Sequence, residues 1–189
     1  MKNSQIILAA GLLLWTITGC IDHQNRDNLS KVRHLQTVCD SLDDVFSSID
    51  LKKFHNIEAE ITKNVSYVSK NIESFDPHDS LFVNYFGSYA ATGKTISRLF
   101  RSRISSIEPG LEFSESQLKK LKHDIRKQAI PDKDSVQQYI LSEKKALDDL
   151  SVQISEVKEL FDQELRAYQQ TKNKVQQLLE QNRKQKTGD

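Results

Sequence analysis

The chain is 189 residues long, 37% hydrophobic and 28% charged, with 27 Lys and Arg against 26 Asp and Glu. So even a balance argues against nucleic acid, whose phosphates demand a basic face, and no nucleic-acid partner is expected. Two cysteines are too few for a disulfide-stapled scaffold, so the fold must be held by packing.

Residues 1–19 read as an export signal. One charge, Lys2, precedes an apolar run from Ile6 to Ile17. A run of about a dozen residues is too short for a bilayer core of about 30 Å but suits a signal h-region. It ends in Ile17-Thr18-Gly19-Cys20, an aliphatic residue, two small ones and a cysteine. This arrangement resembles the lipobox of bacterial lipoproteins. The resemblance implies that Cys20 becomes the acylated N-terminus, carrying a diacylglycerol and an N-acyl chain such as palmitate. Two or three chains make a stable membrane anchor where one is marginal. It also implies a place in the bacterial cell envelope. The aspartate that favours inner-membrane retention is replaced by Ile21, which favours the outer membrane. Removing the signal takes Lys2 and the only Trp, leaving about 170 residues, enough for one domain with a core. Cys39 lies on the apolar stripe of its helix and reads as a buried thiol, with an intermolecular bridge as the alternative.

Residues 20–28 read as a polar tether and 29–187 as a helical bundle domain. Leu29 to Phe46 places Val32, Leu35, Cys39, Leu42 and Phe46 at steps of three and four, a helical stripe. From Ile49 to Phe54 is a step of five, so a break or kink is expected near Asp50. The stripe resumes through Phe54, Ile57, Ile61, Val65, Val68, Ile72 and Phe75. Asp76-Pro77 stops it, since the residue before proline avoids the helical region. A third, aromatic-rich stripe runs from Phe82 to Ile107 and is expected to end at Glu108-Pro109-Gly110. Ser114 and Gln117 then read as a capping box, with Phe113 and Leu118 as a hydrophobic staple opening a short fourth helix. On this reading all three prolines fall between helices.

Ala129-Ile130-Pro131-Asp132 launches the dominant element. From Asp132 to about Lys186 there is no Pro or Gly, and a repeat near 3.5 residues is sustained from Val136 to Leu179. That is a coiled-coil-like helix, a rod of about 80 Å at 1.5 Å per residue. The expected fold is therefore all-α: an elongated antiparallel helical bundle in which shorter helices lie along one long C-terminal helix.

Several stretches invite a catalytic or ligand-binding reading. Gly87 to Thr95 resembles a phosphate-binding loop, but five residues rather than four separate Gly87 from Gly93-Lys94-Thr95. A helix whose glycines allow close approach of a neighbour explains it better than a nucleotide site using Lys94. His55 and Glu58 share a helix face but read as solvated surface. Glu143 and Glu164 interrupt the long stripe. Lying 21 residues apart, about 30 Å along a helix, they cannot act as a pair. Each is expected to pair with a Lys or Arg or to reach solvent. No catalytic residue, metal ligand or cofactor emerges.

The function expected is that of a membrane-anchored, non-enzymatic structural or protein-interaction lipoprotein. The alternative is a carrier of an apolar ligand, lipid or peptide, held among Phe82, Tyr85, Phe86, Tyr89 and Phe100. The stripe at Tyr168, Val175, Leu178 and Leu179 extends beyond the estimated reach of the shorter helices. It is expected to contact a protein partner or a second copy.

Overall fold

The computed structural model describes residues 22–76 and 78–188. The signal, Cys20 and Pro77 lie outside the described residues. Among the described residues there are five α-helices: α1 (Asp22–Ser47), α2 (Leu51–Lys70), α3 (Ser80–Leu99), α4 (Ser105–Lys127) and α5 (Lys133–Thr187). A 3-10 turn, Ile72–Ser74, follows α2, and a π-helical turn, Phe100–Ile104, joins α3 to α4. No strand occurs among the described residues. The fold is an all-α helical bundle with a long C-terminal helix.

The chain divides into two compact units, residues 1–41 with 111–149 and residues 42–110 with 150–189. In the first unit α1 and α4 run antiparallel, since Gln36 meets Lys122 and the Cys39 thiol lies 3.8 Å from the Leu111 carbonyl. Val32, Leu35, Leu118, Ile125, Val136 and Leu147 fill its core. Asn28, buried, accepts from Gln137 Nε2 at 2.5 Å, tying the start of α1 to the start of α5.

In the second unit three passes meet. α2 runs parallel to α5: Phe54 stacks on Phe161, Glu60 meets Tyr168, and Lys186 donates to Asn71. α3 opposes both, with Ile61 against Gly93 and Tyr89 against Tyr168. α3 runs antiparallel to α2, so α5 has one parallel and one antiparallel neighbour.

Caps explain the boundaries. Asp50 accepts from the Lys53 N–H at 2.9 Å and restarts the chain as α2, at the expected break. Asp79 caps α3 through the Leu81 N–H. Asp132 accepts from the Asp134 and Ser135 N–H groups and the Ser135 hydroxyl, which lower its pKa, the hydroxyl most. α4 ends with Gln128 at φ 51, where the Ala129 N–H reaches Asp124 O and the Gln128 N–H reaches Ile125 O. Those two bonds form a Schellman motif.

Three expectations are corrected. Residues 22–28 are not a tether but the first turns of α1. The buried Asn28, held by Gln137, gives those polar turns a reason to fold. Pro109-Gly110 does not end a helix, for Pro109 lies inside α4. Its missing N–H costs one bond, and the preceding π turn has already left Ser105 at ψ −15, its carbonyl rotated from the regular direction. Gly110 serves close packing, since an added Cβ would stand 3.0 Å from Leu150 Cδ2. The capping box is therefore absent: Ser114 is 2% exposed within α4, and Phe113 is 62% exposed rather than stapled to Leu118.

Candidate functional site

A polar cluster in the second unit gathers on Glu60, a residue no motif singles out. Tyr168 donates to Glu60 Oε2 at 2.7 Å and Lys172 Nζ lies 3.3 Å from the same oxygen. Tyr89 and Gln176 Nε2 donate to Oε1 at 3.3 and 3.4 Å. Asn64, buried, donates in turn to the Tyr89 hydroxyl at 2.9 Å. Burial, chiefly, holds both tyrosine hydroxyls above their ordinary pKa, and the Glu60 carboxylate adds to the effect. The Lys172 ammonium is raised as well, first by the Tyr168 oxygen and then by Glu60. A carboxylate with four donors ties α2, α3 and α5 together.

The sequence holds one clue to this cluster. A tyrosine on a buried stripe must find a partner for its hydroxyl. Periodicity alone assigns Val65 to the α2 stripe, whereas the buried residue is Asn64 and Val65 is half-buried.

The two carboxylates on the long stripe fare differently. Glu164 meets the Thr92 hydroxyl and the Arg98 charge, but burial dominates and raises its pKa. Glu143 has a buried Oε2 without a hydrogen-bond partner, and burial raises its pKa too. It opens on a cavity of about 260 Å³ lined with Gln117, Lys120, Asp124 and Tyr139. The two do not converge.

The phosphate-loop look-alike is helical throughout, within α3. Gly93 earns its place by contact, because a Cβ there would lie 2.4 Å from Ile61 Cγ2. Around Gly87 there is open space. Lys94 is exposed beside a groove between α2 and α3. His55 is 3.7 Å from Glu58 with its side chain 73% exposed, and its ring meets the edge of Phe100. Among the described residues no three His, Cys, Asp or Glu side chains gather as a metal site.

The aromatics of α3 pack on one another and on their neighbours. Phe82 stacks between Phe75 and Phe86 at 4.9 and 5.2 Å, and Tyr89 is fully buried against Tyr168. Phe100 lies 5.9 Å from Phe161, and Tyr85 is half-buried.

The expected contact stripe on α5 is corrected. Tyr168, Val175 and Leu179 are 6%, 1% and 3% exposed, and Leu178 is half-buried. The length estimate failed because α2 and its 3-10 turn reach this end. Tyr67 donates to Asn182 Oδ1 at 3.0 Å, and Asn182 Nδ2 donates to Ser74 O at 2.8 Å. Tyr168, Val175 and Leu179 are core.

No family model, curated protein or solved structure matches the chain. Among the described residues no helix is long and apolar enough to cross a membrane.

Proposed function

We propose that the chain is a membrane-anchored lipoprotein of the bacterial cell envelope that acts by contact rather than catalysis. The observation that carries this is Ile17-Thr18-Gly19-Cys20, placed directly behind an apolar run of signal length. Its lipobox resemblance assigns acylation to Cys20. With α1 beginning at Asp22, two residues span at most about 7 Å between anchor and helix. The first unit would stand directly on the bilayer. The Glu60 cluster and the mutually packed aromatics of α3 support a rigid scaffold over a ligand carrier.

The test is metabolic labelling with radioactive palmitate. Cells producing the chain should label it and keep it in the membrane fraction, whereas Cys20→Ser should be unlabelled and retain its signal. Labelling that persists in Cys20→Ser refutes the anchor.

A further inference from the structure

The second unit leaves one face of the α2–α3 pair uncovered by α5. A groove of about 490 Å³ runs there, lined by residues of α2 and α3 and by Arg101 of the π turn. Its floor is Ile61, Val65, Ala90 and Gly93, small or aliphatic, and Gly93 brings the two helices into contact. Its cations are Lys70, Lys94 and Arg101, all exposed, and no carboxylate lines it. Arg101 belongs to the π turn, and its Nε donates back to Ser97 O at 3.3 Å. Most other lining side chains are short hydroxyls. An acyl chain needs an enclosed apolar cleft, which an open, hydroxyl-lined groove does not provide. A helix with an acidic outer ridge fits, since small residues permit close approach and the cations meet its carboxylates.

This chain carries such a ridge. On α5, Val152, Glu156, Glu159 and Gln163 follow helical spacing on the face opposite Ile154, Val157 and Phe161. Val152 is 58% exposed, and Glu159 and Gln163 are also exposed. Glu156 already pairs with Arg103 and lies at the ridge edge. The ridge spans about 16 Å, and so does the groove from Ala90 to Arg101.

We infer that the α2–α3 groove receives the Val152–Gln163 ridge of α5 from a second copy of this chain. Groove and ridge are different surfaces, so the contact is heterologous and each copy keeps one of each for further neighbours. Val152 seats on the Val65–Ala90 floor, and Glu159 meets Lys94. The inference deepens the interaction reading but does not need the anchor: palmitate labelling tests one and cross-linking the other.

The experiment mixes heavy-isotope and ordinary preparations of the full chain in detergent and applies a zero-length carbodiimide. The expected product is a Lys94–Glu159 cross-link joining one heavy and one light peptide, diminished at high salt. Lys94→Glu and Glu159→Lys should each lose it by tenfold or more with unchanged helicity by circular dichroism. Combining the two substitutions should restore the link with its polarity reversed. Absence of mixed-isotope pairs at this position overturns the inference, as do single variants that link like the native chain. Linkage of Lys94 to a different protein would also overturn it by giving the groove another occupant.

Discussion

Two places in the second unit face the same geometrical problem and solve it differently. In one, the apolar stripe steps five residues from Ile49 to Phe54, and in the other the buried positions step five from Leu99 to Ile104. Each is one residue too many for a stripe that must stay on a helix face. Between α1 and α2 the chain breaks at Ser48–Asp50 and restarts under an aspartate cap. Between α3 and α4 the helix continues, and the extra residue is taken up by a π turn whose Ser105 N–H reaches Phe100 O, five residues back. The two irregularities adjoin, since His55 faces Phe100 and both Phe54 and Phe100 pack on Phe161. The difference lies in the local residues. Ser47-Ser48-Ile49-Asp50 supplies cap and turn formers, whereas Phe100-Arg101-Ser102-Arg103-Ile104 contains no helix breaker. An insertion therefore breaks a helix only where the sequence also offers the broken end a cap.

The residue shared by both solutions should be the most costly to remove. Phe161 is 1% exposed and stacks on Phe54 at 3.9 Å. Phe161→Ala should cost about 3–5 kcal/mol, a fall in Tm of roughly 10 °C by calorimetry. A fall under about 2 °C would mean the aromatic contacts do not clamp this level. Next comes the cap: Asp50→Ala should destabilise by about 1 kcal/mol, and Asp50→Asn by less, measured by urea unfolding. Equal losses for the two would show that charge, not capping geometry, holds the restart.

Deletion of Ser102 separates the two solutions most directly. Removing the surplus residue turns the step of five into four, so α3 and α4 can wind as one regular helix with the stripe in phase. The variant should melt within a few degrees of the native chain, and amide exchange across 100–105 should slow. A molten or unfolded product would show that the π turn is required rather than tolerated.

The smallest effect belongs to the first unit, away from both irregularities. Burial raises the Glu143 pKa above its ordinary 4.5, so the native state holds this proton more tightly than the unfolded chain. Stability from this group is present at low pH and is lost as pH rises through that raised value. Glu143→Gln should therefore raise Tm slightly at pH 7 and leave it unchanged near pH 4. A lower Tm at pH 7 would reveal a cation or water that stabilises the ionised carboxylate.

Much of the architecture was legible in the sequence because helices announce themselves through local spacing. The all-α class, the break at Asp50, the restarts at Ser80 and Lys133 and the unbroken run of α5 all follow from periodicity, caps and prolines. So does the helical burial of Gly93, whose neighbour Ile61 also sits on a stripe. Periodicity fails where one local rule competes with another that acts at a distance. Pro109-Gly110 has the composition of a helix stop, yet packing of Leu111, Ser114 and Leu118 carries the helix through it. Ser114 and Gln117 satisfy the letter of a capping box, but no helix end exists there to be capped.

The buried tyrosines hinted at the Glu60 cluster but not at their partner, because its members come from three helices, with Tyr89 29 positions and Gln176 116 positions from Glu60. Likewise, spacing marked Tyr168, Val175 and Leu179 as apolar but not what covers them, and only the course of α2 made them core. The sequence by itself determined most of the helical stretches and which face of each is apolar, since both depend largely on neighbours within a turn or two. Tertiary structure alone decided which faces meet, which polar groups find partners inside, and which groove stays uncovered. Those outcomes depend on relative register among helices, and no single helix carries that information.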